Sequence, residues 1–203
     1  MKEYQMYTPS AEGYCLFREN YEKSDSKLIE KENDFFMDFK NKPENKDEEI
    51  VRARVEKLNS LYSTRNSSDE TEKIINIILK PGFDEKLDGD GYDLIEELRQ
   101  IPSRRTKKEY RDCLSFATKY CHHCRPDKYP IFDSVNVNVL TVCMGYQDSR
   151  NYTEYVECFK KFCSAIGCDE LKDGEGFYID KYIQAIGRDS DLLSLGVIEE
   201  CKD

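Results

Sequence analysis

Apolar residues recur along this chain at helical spacing, in short runs separated by turn-forming clusters. Val51, Val55, Leu58 and Tyr62 fall at i, i+4, i+7 and i+11, one stripe of an amphipathic helix that begins near Asp47. Ser67 followed by Glu70 has the form of a capping box. It predicts a second helix whose Ile74, Ile75 and Ile78 face inward until Pro81-Gly82 stops it. These two helices are expected to form a hairpin around the polar junction YSTRNSS.

A shorter helix is predicted over residues 92–100, after the turn-rich LDGDG and before Pro102. Thr106 with Glu109 makes another capping box, and Tyr110, Cys113, Leu114, Ala117 and Cys121 supply the buried stripe of the helix it would open. That helix ends near Cys124, because Pro126 steers Arg125 away from helical geometry. After the loop RPDKYPIF, Asp133 or Ser134 caps the next helix. Asn151 with Glu154 caps another, with Tyr155, Phe159, Phe162 and Ile166 inward, and residues 177–186 and 192–200 complete the set. Alternating strand patterns are lacking apart from a short candidate at residues 2–7. The expectation is an all-α fold, a compact bundle of about eight helices. Residues 1–45, rich in Lys, Glu, Asp and Asn, read as an irregular N-terminal arm with a helix; residues 46–203 read as a helical domain, as one body or two closely packed lobes.

Composition narrows the setting. Charged residues make up 35% of the chain, above the roughly 25% usual for soluble proteins, so the surface is expected to be wet. No run approaches the roughly 20 apolar residues of a membrane span, and the start MKEYQMYTPSAEGY lacks the apolar core of a signal peptide. The expectation is a cytoplasmic, monomeric protein with no membrane partner. The nine cysteines are odd in number and mostly sit at apolar helical positions, which reads as reduced thiols.

The net charge of −10 opposes binding to a polyanion. Residues 99–128 invert it locally, with nine basic side chains against three acidic ones. Such a run is commonly a solvated face. Here it surrounds a lysine with candidate chemistry, and Arg104, Arg105, Lys107 and Lys108 become candidate phosphate contacts.

Lys108, Asp112, Ser115 and Lys119 lie at i, i+4, i+7 and i+11, opposite the apolar stripe, so Lys119 is expected to leave a polar helical face. A lysine amine attacks an electrophilic carbon only when neutral, and a carboxylate beside that carbon can stabilise developing positive charge. Asp133 can supply the carboxylate. The plain alternatives are a solvated lysine and an N-cap aspartate. Cys121-His122-His123-Cys124, even with Cys158, Cys163 and Cys168, does not match the ligand spacing of a zinc site, and no metal or cofactor is expected. His122 and His123 are placed at the domain surface or lining a cleft. Asp88 to Asp93 departs from the calcium-loop pattern at its sixth and twelfth positions and reads as a turn.

The segment SFATKYCHHCRPDKYPIFDSVN, with a lysine on a helix, a proline-braced loop and an aspartate opening the next helix, resembles the active-site region of helix-hairpin-helix DNA glycosylases, particularly 8-oxoguanine glycosylases. The resemblance spans roughly residues 55–140. It implies that Lys119 forms a Schiff base with the deoxyribose of a damaged or modified duplex, that Asp133 assists, and that the protein is a DNA-repair glycosylase and abasic-site lyase. LNSLYSTRNSS is similar to the polar helix junction those enzymes place near DNA, which assigns Asn59, Ser63, Thr64 and Arg65 to DNA contact, with His122 and His123 beside them. The stretch IPSRRTKKEYRDCLSFATK departs from the family in having no glycine for the phosphate-gripping hairpin. A non-catalytic helical module that binds nucleic acid or a protein partner is the competing reading.

Overall fold

The computed structural model describes residues 9–24, 26–62, 66–102 and 110–188. Among them the chain is all-α, with ten helices and one two-stranded ladder. In order these are α1 (Ala11–Glu22), α2 (Lys27–Asn41), α3 (Glu48–Leu61), α4 (Ser68–Ile78), α5 (Phe83–Asp88), α6 (Asp93–Arg99), β1 (Gln100–Pro102), β2 (Tyr110–Asp112), α7 (Leu114–Cys124), α8 (Ser134–Met144), α9 (Tyr152–Ala165) and α10 (Glu175–Ile186). The chain divides into two units, Phe35–Phe132 and a second made of Met1–Asp34 with Asp133–Asp203. No described helix is long and apolar enough to cross a membrane.

In the unit Phe35–Phe132, local sequence signals act as written. Asp47 caps α3 by accepting from the amides of Glu49 and Ile50, and Val51, Val55 and Leu58 are fully buried. Both halves of the Ser67–Glu70 capping box are present at the start of α4. Asn59 closes the α3–α4 hairpin: its amide donates to the Asn66 carbonyl at 3.2 Å, and its Oδ1 accepts from the Asn66 N–H at 3.0 Å. Gly82, at φ 87°, turns the chain into the short α5, an element too brief to show a period.

The helix expected to run from the Thr106–Glu109 box through Cys124 is shorter than its periodicity suggested. The box itself lies outside the described residues. Tyr110 to Asp112 form a strand antiparallel to β1, with Ile101 opposite Arg111, and α7 begins only at Leu114. The cause is a contact distant in sequence. Arg99 grips both Asp112 carboxylate oxygens at 3.0 and 3.2 Å, and the Arg99 carbonyl accepts from the Cys113 N–H at 2.7 Å. Asp112 Oδ1 then accepts from the Leu114 N–H at 3.2 Å, so the residue that ends the ladder also opens the helix.

The loop after α7 is fastened from several directions. Arg125 donates to both oxygens of Asp88 at 2.5 and 3.1 Å, while Lys128 donates to the carbonyls of Leu87, at 2.9 Å, and Gly89. Tyr129 also donates to the Leu87 carbonyl, and its own carbonyl accepts from His122 Nδ1 at 2.9 Å. At the loop's far end the Phe132 N–H donates to Thr118 Oγ1 at 3.1 Å. The LDGDG turn therefore presents its oxygens to protein cations.

Arg125 holds the Asp88 carboxyl below its usual value, chiefly through the hydrogen bond. Because the folded-state value is the lower one, the stabilisation is present above the ordinary aspartate range and fades as pH falls through the lowered value. Asp88→Asn is expected to lower the urea midpoint slightly at neutral pH, with the difference from the parent protein closing in acid. The effect is small because the Asp88 side chain is 58% exposed.

In the other unit, α10 packs on α1 and α8, and α8 on α9. Ser10 caps α1 by accepting from the Gly13 N–H, and Tyr14, Phe17 and Tyr21 are buried along one stripe of that helix. Glu175 at the start of α10 accepts from Tyr14 at 2.5 Å and pairs with Arg18. Asn151 caps α9, and Tyr155, Phe159, Phe162 and Ile166 are buried as their spacing predicts. Gly187 is required by close approach, because a Cβ there would collide with the Val135 side chain. The segment 1–45 contributes α1 and α2. The expected strand at residues 2–7 and helix at 192–200 lie outside the described residues.

Candidate functional site

Lys119 sits on α7, and α7 is buried almost all round: every residue from Phe116 to Cys124 is inside. The expected polar face fails at Lys119, which is 4% exposed rather than solvated, while Ser115 is half-buried, Asp112 is exposed and Lys108 lies outside the described residues. Its Nζ donates to Ser115 Oγ, one turn back on the same helix, at 2.9 Å. It also lies 5.4 Å from the centroid of the Tyr62 ring, which is half-buried just past the end of α3.

Tyr62 connects this lysine to a histidine. Its hydroxyl is 3.1 Å from His123 Nε2, and the His123 ring packs 4.7 Å from Phe35 and 5.4 Å from Phe39, stacked on the latter. His122 and His123 are 1% and 2% exposed. This corrects their expected place at a surface or cleft: aromatic packing and the His122 bond to the Tyr129 carbonyl hold both rings inside. Of the residues singled out from sequence, the structure thus brings Lys119 and His123 to one ring, that of Tyr62.

The basic run is largely engaged with other groups of the protein where it is described. Arg99 pairs with Asp112 and Glu96, Arg125 with Asp88, and Lys128 with backbone carbonyls. Arg104, Arg105, Lys107 and Lys108 lie outside the described residues, as do Ser63, Thr64 and Arg65. Asn59 serves the hairpin. No group of three or more His, Cys, Asp or Glu among the described residues is arranged to hold a metal ion.

The eight described cysteines are free thiols. Burial pushes the Cys121 thiol well up, with the neighbouring Cys124 adding to the effect, and burial pushes Cys124 up to about 12. Since the thiolate is the nucleophile, both should resist maleimide in the native protein at neutral pH, while exposed Cys15 is modified. Peptide mass spectrometry before and after unfolding checks this; native labelling at Cys121 as fast as at Cys15 would refute it.

Asp133 belongs to the unit that holds α8 to α10 and is the N-cap of α8. Its Oδ1 accepts from the amides of Val135 at 3.1 Å and Asn136 at 3.0 Å, so the expected cap is present and the carboxylate is held in a fixed place. Gln184 Nε2 lies 3.4 and 3.3 Å from its two oxygens and donates to Asn136 Oδ1 at 2.5 Å. Asn136 Nδ2 donates to Asp180 at 2.7 Å. Burial, then the nearby Asp133 and Asp180 carboxylates, push the Tyr155 hydroxyl well up. Sequence reasoning missed Ser115 as the lysine's partner, and Asn136, Asp180 and Gln184 altogether. The signal was spacing: Ser115 and Lys119 are i,i+4, as are Asp180 and Gln184, and Asn136 is the third residue of the helix that Asp133 caps.

The class these elements define is an all-α protein carrying a buried helical lysine and an aspartate held as a helix N-cap. Residues 11–128 match the family HI_0787_N, an N-terminal domain, and as this is more than half of the chain, the protein belongs to that family. The match contains Lys119 and stops short of Asp133. No curated protein and no solved structure matches the chain.

Proposed function

We propose that this protein is a helix-hairpin-helix-glycosylase-like enzyme of DNA repair that removes a damaged or modified base, with Lys119 as nucleophile and Asp133 as the assisting carboxylate. The observation that carries the reading is the placement of the Lys119 amine. Lysine is almost never fully buried without a partner, and this one is held inside by a serine hydroxyl and the face of a tyrosine. Such a position fixes an amine for attack instead of leaving it to sample solvent.

In this mechanism the neutral amine attacks C1′, the C1′–N bond breaks, and the base departs with the bonding pair. Opening of the sugar ring, with a proton passing to O4′, gives a Schiff base, and β-elimination from it nicks the strand on the 3′ side. A carboxylate stabilises the cationic character at C1′ as the base leaves. A cap whose Oδ1 accepts two helix amides supplies that carboxylate in one orientation. At 4% exposure the amine meets a sugar carbon only when a neighbouring side chain moves, and Tyr62 is the ring lying on it.

The experiment is borohydride trapping on duplexes carrying 8-oxoguanine, uracil or an abasic site. A covalent protein–DNA adduct that disappears in Lys119→Gln supports the enzyme. Binding that falls steeply with salt and leaves every base in place supports a non-catalytic module instead. The described basic residues weaken that second reading, because Arg99, Arg125 and Lys128 are engaged within the protein.

A further inference from the structure

We infer that Gln184 is a positioning residue for Asp133, locked by Asn136 and Asp180 so that one orientation of the carboxylate is held. The inference rests on the reading of Asp133 as the reaction's carboxylate. An aspartate that only caps a helix needs one oxygen and the helix amides, and Asp133 Oδ1 already has these in Val135 and Asn136. Gln184 adds something a cap does not require. Its amide carries two hydrogens: one bond goes to Asn136 Oδ1, and the other N–H faces the carboxylate, nearly equidistant from both oxygens. The carboxylate plane is thereby tied to α10 as well as to α8.

The support behind Gln184 is buried. Asn136 is 0% exposed and Asp180 2%, and the Asn136 amide points from one to the other. Two neutral amides therefore stand between two carboxylates, giving each a donor and keeping the negative charges apart. From α9, the Tyr155 hydroxyl is hydrogen-bonded to Asn136. From α10, the Lys181 ammonium is 3.9 Å from Asp180 and 3.1 Å from Glu32 of α2, offsetting the buried charge of Asp180. Each polar group in the relay has a counterpart, as a network that fixes geometry requires.

Outer partners that orient metal ligands change affinity or activity by about 10–100-fold when removed, and a partner that orients a reacting carboxylate is expected to act on the same scale. The test uses the full chain as parent, Gln184→Ala, Gln184→Glu, Asp133→Asn and the double variant Asp133→Asn/Gln184→Ala. Two readouts are taken: urea unfolding, arranged as a double-mutant cycle, and single-turnover borohydride trapping on an abasic-site duplex and an 8-oxoguanine duplex. The inference expects Asp133 and Gln184 to be coupled by at least about threefold in the unfolding equilibrium constant. It expects Gln184→Ala to slow trapping by about tenfold at unchanged duplex affinity. It also expects Gln184→Glu to approach the parent rate only in acid, where the new carboxyl is protonated and can donate as the amide does. A merely structural glutamine would not give that pH profile. Absence of coupling overturns the clamp, and a parent-like trapping rate in Gln184→Ala overturns the positioning role while leaving the glycosylase reading intact. If the parent protein traps neither duplex, the glycosylase reading fails and the positioning role falls with it, whether or not the coupling persists.

Discussion

Arg54→Ala is expected to destabilise the protein by about 3 kcal/mol, the scale for removing a buried cationic donor and leaving its backbone acceptors without it. Arg54 is 1% exposed, on the same helix as the core residues Val51, Val55 and Leu58. Its Nε donates to Asp38 Oδ2 at 3.1 Å, and its Nη2 donates to the carbonyls of Asp38 at 3.0 Å and Lys42 at 2.6 Å. The guanidinium carbon lies 4.1 Å from the Phe39 ring centroid. One side chain thus satisfies carbonyls at the end of α2, neutralises a carboxylate and packs on an aromatic face. Truncation leaves the carbonyls without that donor and opens a cavity against Phe39. Lysine cannot restore this, because its single nitrogen lacks the planar fork, so Arg54→Lys should recover less than half of the loss. Asp38→Asn should cost about 1 kcal/mol, since that carboxylate is 41% exposed and both carbonyl bonds survive. Urea unfolding followed by circular dichroism measures all three; an Arg54→Ala loss below that of Asp38→Asn would show that the carbonyl bonds contribute little.

The elements that were legible in the sequence carry their own local instructions. Helix α3 begins at an aspartate whose carboxylate takes two amides, α4 at a reciprocal capping box, and α9 at an asparagine that does the same as Asp47. In each case the apolar spacing then repeats for three turns. Helices α1 and α2 carry similar stripes, Tyr14, Phe17 and Tyr21 in the first and Phe35, Phe36 and Phe39 in the second. Their surrounding Lys, Glu and Asp lowered the average hydrophobicity and hid them in an arm. The strand before α7 was illegible for another reason. Tyr110 to Cys113 fit a helical period; the strand is held by the ladder to Gln100–Pro102 and by the pairing of Asp112 with Arg99, contacts that spacing does not report.

The candidate site divides along the same line. The Asp133 cap was legible because a cap is a local device. The burial of Lys119 was not, because a helix surrounded by protein has no polar side to predict from spacing. Phe116, Thr118, Tyr120 and Cys124 enclose directions that the pattern had assigned to solvent or left open. The same enclosure removes His122 and His123 from any surface. What the burial adds chemically is an amine with defined neighbours, Ser115 and Tyr62, which spacing alone had left to chance.

Replacing Lys119 is expected to have the largest effect on activity, and the substitutions separate chemistry from folding. Lys119→Gln and Lys119→Arg should each reduce trapping on every duplex by at least about a thousandfold, since the first has no nucleophile and the second keeps its charge at all accessible pH values. Lys119→Met keeps the length of the side chain without the amine, and its stability should remain within about 1.5 kcal/mol of the parent, as for a replacement of similar volume in a packed interior. Loss of trapping in a protein that unfolds like the parent then assigns the defect to the missing nitrogen. Ser115→Ala removes the acceptor 2.9 Å from Nζ and should slow trapping by about tenfold without abolishing it, because the hydroxyl orients the amine and does not react. Peptide mapping of the reduced adduct gives the decisive readout. The modified residue should be Lys119 itself, and an adduct that persists in Lys119→Met, or that maps to Lys128 or any other lysine, would move the nucleophile elsewhere and leave the buried amine as part of the core.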